Sequence, residues 1–273
     1  MAELQILIAA YGPDALMRIS SLRHDTYPGV EYVVSWQNYE NGLVPDEIKE
    51  RKDFKIFLED SIGLCNNRNA LLQHATADFA LVSDDDLIYE NEHLNNALHA
   101  FENNSQYHFL TFQYESKDFP KKYPGNSFVF PKTPKGYFVT SMEMGFNLKK
   151  IREDFGKAAF RFNPAYGVNG TTFYCGEEDI LIYELQKKGM RGKYLPVTIC
   201  ENTDSTTSER IGNFEGFIET KGAVVSYIKP ITWPMRMLTH AWRARKEIPI
   251  IRYCKWWLSG IKKARIQRVF ENY

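Results

Sequence analysis

Short apolar runs alternate with helical spacings through the first half of the chain. Leu4 to Ala10 is a mainly apolar run of strand length, and Tyr11-Gly12-Pro13-Asp14 turns it into a helix with Ala15, Leu16, Ile19 and Leu22 on one face. Tyr27-Pro28-Gly29 breaks that helix, and Glu31 to Gln37 and Phe54 to Leu58 read as the next two strands, with a polar loop, Asn38 to Lys52, between them. After Gly63, Leu64, Leu71, Leu72 and Ala75 fit one helical face, and Phe79-Ala80-Leu81-Val82-Ser83 is a fourth strand that ends in three acids, Asp84-Asp85-Asp86. Continuous apolar strands are those buried on both faces, so this half predicts right-handed βαβ units and a mostly parallel sheet covered by helices.

From Tyr107 the runs become short and aromatic: His108 to Gln113, Ser127 to Pro131, Tyr137 to Thr140 and Glu143 to Leu148. Pro and Gly punctuate them, which predicts a smaller mixed, partly antiparallel sheet region. Phe160 to Tyr174 is a loop with four rings, fit either to floor or cover a site or to pack a small core of its own. Gly176-Glu177-Glu178-Asp179 opens a helix that runs from Ile180 to Lys188 and closes at Gly189; Lys193 to Ile199 is a last strand, and Glu201 to Arg210 is a polar, mobile segment. The fold class is therefore α/β. One domain is expected over residues 1–227, in halves of about 1–106 and 107–227, with a helical tail over 228–273.

Composition changes this picture only at the tail. The 273 residues are 44% hydrophobic and 25% charged with a formal net charge of zero, an ordinary globular balance. From Lys229 onward, however, eleven basic residues face two acids, so the tail carries about +9 and the remainder about −9. Ile250, Ile251, Cys254, Trp257, Leu258 and Ile261 follow helical spacing there, and Trp233, Trp242 and Trp256 accompany them. Such a segment suits an interfacial amphipathic helix pair at an anionic membrane, the alternative being a helix packed on the domain with its lysines solvated. Four dispersed cysteines indicate neither a zinc site nor a disulfide framework. With no basic leader before the first apolar run and no apolar stretch of membrane-spanning length, the expected place is the cytoplasm, peripheral to the inner face of the plasma membrane. No nucleic-acid partner is expected.

The chemistry must come from acids. No phosphate-binding G-x-x-x-x-G-K-[ST] loop, dinucleotide G-x-G-x-x-G, H-E-x-x-H or G-x-S-x-G is present, and the six histidines do not cluster. Ligands bind at the carboxyl edge of open α/β sheets, where Asp84 to Asp86 should stand. If the backbone stays extended, Asp84 and Asp86 project together while Asp85 points elsewhere, a D-x-D arrangement that suits Mg²⁺ or Mn²⁺ shared with a diphosphate. An acidic turn into the next helix accounts for the same residues without a metal. The acids Glu177 to Asp179 supply a second cluster, apt for accepting a proton.

Taken together, these motifs resemble family 2 glycosyltransferases of GT-A fold. Gly63-Leu64-Cys65-Asn66-Asn67-Arg68-Asn69 is similar to the family's G-x-x-x-x-R-N helix start, Asp78 through Asp86 to its strand and D-x-D, and Gly176-Glu177-Glu178-Asp179 to its later helix. The resemblance implies a metal-dependent transferase that moves a sugar from a nucleotide-diphospho-sugar, a UDP-sugar above all, to a saccharide or lipid-linked acceptor with inversion, in surface polysaccharide or glycolipid assembly. It implies that Asp84 and Asp86 hold Mg²⁺ or Mn²⁺, with Asp86 the main ligand, and that Asp179 is the catalytic base. Ala9, Ala10 and Tyr11 would border the base of the nucleotide, with Gln37, Arg68, Asp84 and Asp85 on the donor side and Glu178 bonding acceptor hydroxyls. The chain departs from the family at Ser35-Trp36-Gln37, where many members carry an Asp toward uracil or ribose, and at Asn202, near where many carry a His. Loops over Ser116 to Thr140 and Phe160 to Tyr174 would choose the acceptor. A sugar-phosphate nucleotidyltransferase and a non-catalytic saccharide-binding module are the alternatives.

Overall fold

Strand β1 (Leu4–Tyr11) is buried along all but its last residue in the computed structural model, which describes residues 2–118, 120–203, 214–267, 269 and 270. Burying a side chain such as Ile6 or Leu7 contributes about 1.5–3 kcal/mol relative to leaving it in water, which is why this run takes the centre of the sheet. It pairs in parallel with β2 (Val30–Gln37) on one side and β4 (Phe79–Asp84) on the other, and β3 (Phe54–Glu59) extends the parallel set beyond β2. The four strands expected from apolar runs are all present, and α1 (Ala15–Ser21) and α3 (Leu64–His74) supply the helices between them.

The later strands join the same sheet. β8 (Met144–Asn147) lies antiparallel to β4 and to β6 (Phe109–Glu115), and β6 runs parallel to β9 (Gly192–Asn202). The two-residue strands β5 (Leu87–Ile88) and β7 (Phe128–Val129) both pair antiparallel with β9. The order is β3-β2-β1-β4-β8-β6-β9-β5, with β7 also on β9.

Several expectations need correction. The loop from Asn38 to Lys52 contains a short helix, α2 (Asp46–Lys49), started by Pro45 and anchored by buried Ile48. Tyr137 to Thr140 forms no strand. The strand expected over Glu143 to Leu148 is divided: Glu143 ends a 3-10 turn (Ser141–Glu143), β8 covers the middle, and Leu148 begins α5 (Leu148–Phe155), whose first turn is capped by the Asn147 side chain accepting from the Lys150 amide at 3.0 Å. Helix α4 (Asn91–Glu102), with a reciprocal cap between Glu90 and His93, was not anticipated. Glu201 and Asn202 belong to β9, and residues 204–210 of the expected mobile segment lie outside the described residues.

The chain divides into two compact units. The first, Met1–Ile62, Asn66–Arg161 and Glu184–Thr206, holds the whole sheet; the second, Gly63–Cys65, Phe162–Tyr183 and Thr207–Tyr273, is helical. In the second, α6 (Glu177–Lys187) begins after Gly176, and α7 (Phe214–Ile228), α8 (Trp233–Arg243) and α9 (Ile250–Ile266) follow. Helices α7 and α9 pack backbone against backbone. A Cβ on Gly222 would stand 2.2 Å from the Trp257 carbonyl oxygen, and one on Gly260 1.8 Å from that of Glu219. Glu219 is held there by Ser259 Oγ at 2.6 Å and by Lys263 Nζ. None of the described helices is long and apolar enough to cross a membrane.

Gly260→Ala separates two opposing effects. Helix propensity favours Ala by about 1 kcal/mol, but the new methyl meets a backbone oxygen that cannot turn away, and overpacking of this kind costs about 1–3 kcal/mol. The expected outcome is net destabilisation, read as a lower denaturant midpoint; an unchanged or higher midpoint would refute the close crossing.

Candidate active site

Parallel pairing brings the carboxyl ends of β1, β2 and β4 to one edge of the first unit. Ala9 stands beside both Ser35 and Asp84, Ala10 beside Trp36, and Tyr11 beside Gln37. Ala9 and Ala10 are buried and Tyr11 is exposed, so the small pair forms the floor of this edge and the ring its rim. Helix α3 closes it from behind: Asn67 Nδ2 donates to the Ala10 carbonyl at 3.0 Å. Gln37 is buried and its amide nitrogen donates to Ser61 Oγ at 2.9 Å, so its side chain is already engaged where an Asp would face a nucleotide.

The three acids have different partners. Asp84 ends β4, and Arg68 Nη2 donates to its Oδ1 at 2.9 Å and to Ser141 Oγ at 2.7 Å, while Ser141 Oγ lies 3.5 Å from Asp84 Oδ2. The Arg68 side chain is 2% exposed against 29% for Asp84, so the guanidinium is a buried brace and the carboxylate keeps an open side. The structure pairs Arg68 with Asp84. Asp85 and Asp86 form the turn into β5, so the extended backbone assumed for a converging pair ends at Asp84. Arg18 of α1 donates both to Asp85 Oδ2 and, at 3.1 Å, to the Tyr11 carbonyl, tying this turn to the end of β1. Burial still raises the Asp85 pKa, with Arg18 opposing and the neighbouring Asp84 adding to the rise. The Asp86 carbonyl accepts from Thr203 Oγ1 at 3.0 Å, and the next residue, Leu87, pairs with Asn202. The position where many relatives carry a His is thus beside the acidic turn.

Among the described residues, no three His, Cys, Asp or Glu side chains gather as a metal cage. The hard oxygens of Asp84 and Asp86 nonetheless suit Mg²⁺ or Mn²⁺, ions that commonly keep water and substrate phosphate as their remaining ligands. The open side of Asp84 is compatible with that use.

Ser141, which shares Arg68 with Asp84, sits on the 3-10 turn capped reciprocally by Thr140 and Glu143. Glu143 is fully buried and accepts from Lys121 Nζ at 2.5 Å and Tyr123 OH at 2.6 Å. Burial raises its pKa and Lys121 opposes the rise. The loop expected to face an acceptor is therefore pinned from within by an ion pair.

In the second unit Glu177 is buried, Glu178 half-buried and Asp179 exposed, all in the first turn of α6. Protein crowding nevertheless raises the Asp179 pKa; since its surface is open, the effect is that of a crowded wall and not of a sealed core, and Lys221 of α7 opposes it. Lys221 is itself depressed by desolvation, with Asp179 pulling it back up. Burial, and then the charges of Glu177, Glu178 and Asp179, push the Cys175 thiol up to about 12, so it stays protonated. Of the rings between Phe160 and Tyr174, Tyr166 and Phe173 stack at 5.0 Å within the core of this unit. Arg18, Ser141 and Lys221 were not anticipated, because nothing local in the sequence marks a partner lying 67, 57 or 42 residues from its acid.

Residues 15–169 match the model of glycosyl transferase family 2. The chain belongs to that family. The match spans Arg68 and the three acids and ends before Glu178 and Asp179. A comparison with curated protein sequences finds no match. Among solved structures, S. aureus TarS 1-349 in complex with UDP has 13% identity and a TM-score of 0.60, over 98% of this chain and 82% of that one. The same protein with UDP-GlcNAc has 12% identity and a TM-score of 0.57, over 97% and 72%. The mannosyltransferase PcManGT from Pyrobaculum calidifontis, in complex with GDP-Man and Mn²⁺, has 10% identity and a TM-score of 0.51, over 99% and 88%. At these identities the likeness establishes the fold, GT-A.

Arg68→Gln should destabilise the first unit by about 1–3 kcal/mol, because it strips a partly buried carboxylate of its charged partner. Ser141→Ala, which removes one neutral contact, should cost about 1 kcal/mol or less. Urea titrations that rank the two variants in the opposite order would contradict the assignment of Arg68 as the brace.

Proposed function

We propose that this glycosyltransferase moves a sugar from a UDP-sugar to a hydroxyl of a saccharide or lipid-linked saccharide, with inversion, in surface polysaccharide or glycolipid assembly. The observation that carries the reading is the family match over the sheet edge that bears Asp84, Asp85 and Asp86. Nucleotide-sugar transfer is the activity the family supports, and the related folds holding UDP, UDP-GlcNAc and GDP-Man favour a nucleoside diphosphate donor.

Each residue then has a task. Ala9 and Ala10 offer a flat floor for a nucleobase, with Tyr11 at its rim and Gln37, already bonded to Ser61, shaping the far side. Asp84 and Asp86 would hold Mg²⁺ or Mn²⁺, which when bound offsets the charge of the diphosphate as it leaves. Arg68 orients Asp84, and Arg18 orients Asp85. Asp179 takes the proton of the acceptor hydroxyl as its oxygen bonds to the anomeric carbon and the nucleoside diphosphate departs. Side chains adjacent on a helix diverge by about 100°, so Glu178 is left to bond acceptor hydroxyls. The basic helices at the end of the chain fit an enzyme that works at a membrane surface.

A panel of UDP- and GDP-sugars with Mg²⁺ or Mn²⁺ tests the donor, and the anomeric configuration of the product tests inversion. Asp86→Asn should abolish metal-stimulated nucleotide binding by calorimetry without unfolding the chain; unchanged affinity would remove Asp86 from the site. Asp179→Asn should keep donor affinity and lose transfer by a factor on the order of 10² or more.

The pH dependence carries a sign. A base works only when ionised, and the raised pKa of Asp179 places the acid limb of kcat/KM above that of an ordinary carboxylate. Lys221 holds that pKa down, so Lys221→Gln should move the acid limb to still higher pH while the plateau changes less. A downward shift would mean that Asp179 is not the titrating base.

A further inference from the structure

From the second unit we infer that the outer face of α8 is a docking surface for an anionic lipid bilayer. This inference rests on the membrane-peripheral reading and narrows it to one helix. The sequence suits a membrane-surface helix pair that takes in Trp233 and Trp242 as well as the apolar positions within Ile250 to Ile261. In the structure Tyr253, Trp257, Gly260 and Ile261 of that helix are buried, and the backbones of α7 and α9 touch at Gly222 and Gly260. Of the face read from sequence, Trp257 and Ile261 are covered in this way, while Ile251 and Leu258 stay 85% and 46% exposed.

Helix α8 carries apolar residues on two opposite faces. Ala241 is buried, with Trp233, Met237 and Ala244 packed beside it in a cluster that includes Ile218 and Trp257. On the other side Met235, Leu238 and Trp242, with Ile231 in the preceding turn, are between 57% and 91% exposed. At about 100° per residue Met235, Leu238 and Trp242 fall within an arc of roughly 60°. Arg236 and Arg243 border the arc, and Arg245 lies over the Trp242 ring at 4.2 Å. From Lys229 to Lys246 there is no acid.

An exposed apolar arc rimmed by cations matches a surface whose outside is anionic and whose inside is hydrocarbon, with tryptophan at the boundary. A second copy of this face is a poor occupant, since its cations would be brought together without counter-charge. The same argument favours lipid over a basic or neutral protein groove.

The test uses the full chain and sedimentation with vesicles of phosphatidylcholine containing phosphatidylglycerol, against phosphatidylcholine alone. Wild type should bind the anionic vesicles, release them at high salt, and show a blue-shifted tryptophan emission on binding that is diminished in Trp242→Phe. Met235→Asp with Leu238→Asp, both on the exposed face, should lower the partition coefficient by about tenfold or more while circular dichroism and the melting temperature hold. If wild type binds and the double variant binds equally, α8 is not the surface, although the peripheral reading stands. If wild type does not bind, both fail. If the chain dimerises through this face, shown by a mass that halves in the double variant while wild type ignores vesicles, the occupant is a second copy and the lipid proposal is overturned. Loss of sugar transfer in solution is not expected in this variant, so a failure of the enzymatic reading would be seen separately.

Discussion

The ion pair between Arg68 and Asp84 is the constraint on which the sheet edge depends. Three adjacent carboxylates at the end of a buried strand repel one another and raise one another's pKa unless cations or donors intervene. Here the chain disperses them: Asp84 goes to Arg68 of α3, Asp85 to Arg18 of α1, and the backbone of Asp86 to Thr203 at the end of β9. The acidic turn consequently fastens α1, α3 and β9 to the end of β4. Two of its three negative charges are met by arginines before any ligand arrives. The same pairing lowers the net negative charge of the turn.

The open side of Asp84 follows from that brace. With its side chain 2% exposed and shared with Ser141, Arg68 is held against Asp84. Ser141 in turn depends on a 3-10 turn that Glu143 caps and Lys121 holds. The Lys121–Glu143 charge pair is thereby linked, through one hydroxyl and one guanidinium, to the first acid of the turn. Loop position and acid orientation are set together.

Much of this was legible in sequence where burial is two-sided. Strands β1, β2 and β4 announce themselves as apolar runs because both faces lie against helices, and the edge at which the acids stand follows from parallel order. The alternation argument for Asp84 and Asp86 needs extended backbone, and the chain turns at Asp85. Of helix α5 only Leu148 was read as strand, because it continues the run of β8. Helix α4 carries its start signal as Glu90 and His93, an uncommon pair for a reciprocal cap. Arg18, Ser141 and Lys221 could not be read at all, since their roles exist only through distant partners.

The C-terminal helices show a different limit. Apolar spacing along α9 correctly identified a face but not what covers it, and the covering surface is created by Gly222 and Gly260, residues that propensity counts only as a cost to a helix. Their missing side chains let α7 and α9 approach until backbone meets backbone, and Trp257 and Ile261 of the face that sequence left free are buried. The positive charge of the tail was read rightly, because charge does not depend on packing. Which apolar surface remains beside that charge does depend on it: Trp257 and Ile261 of α9 are taken into the core, whereas Met235, Leu238 and Trp242 of α8 stay outside the cluster that holds Ala241.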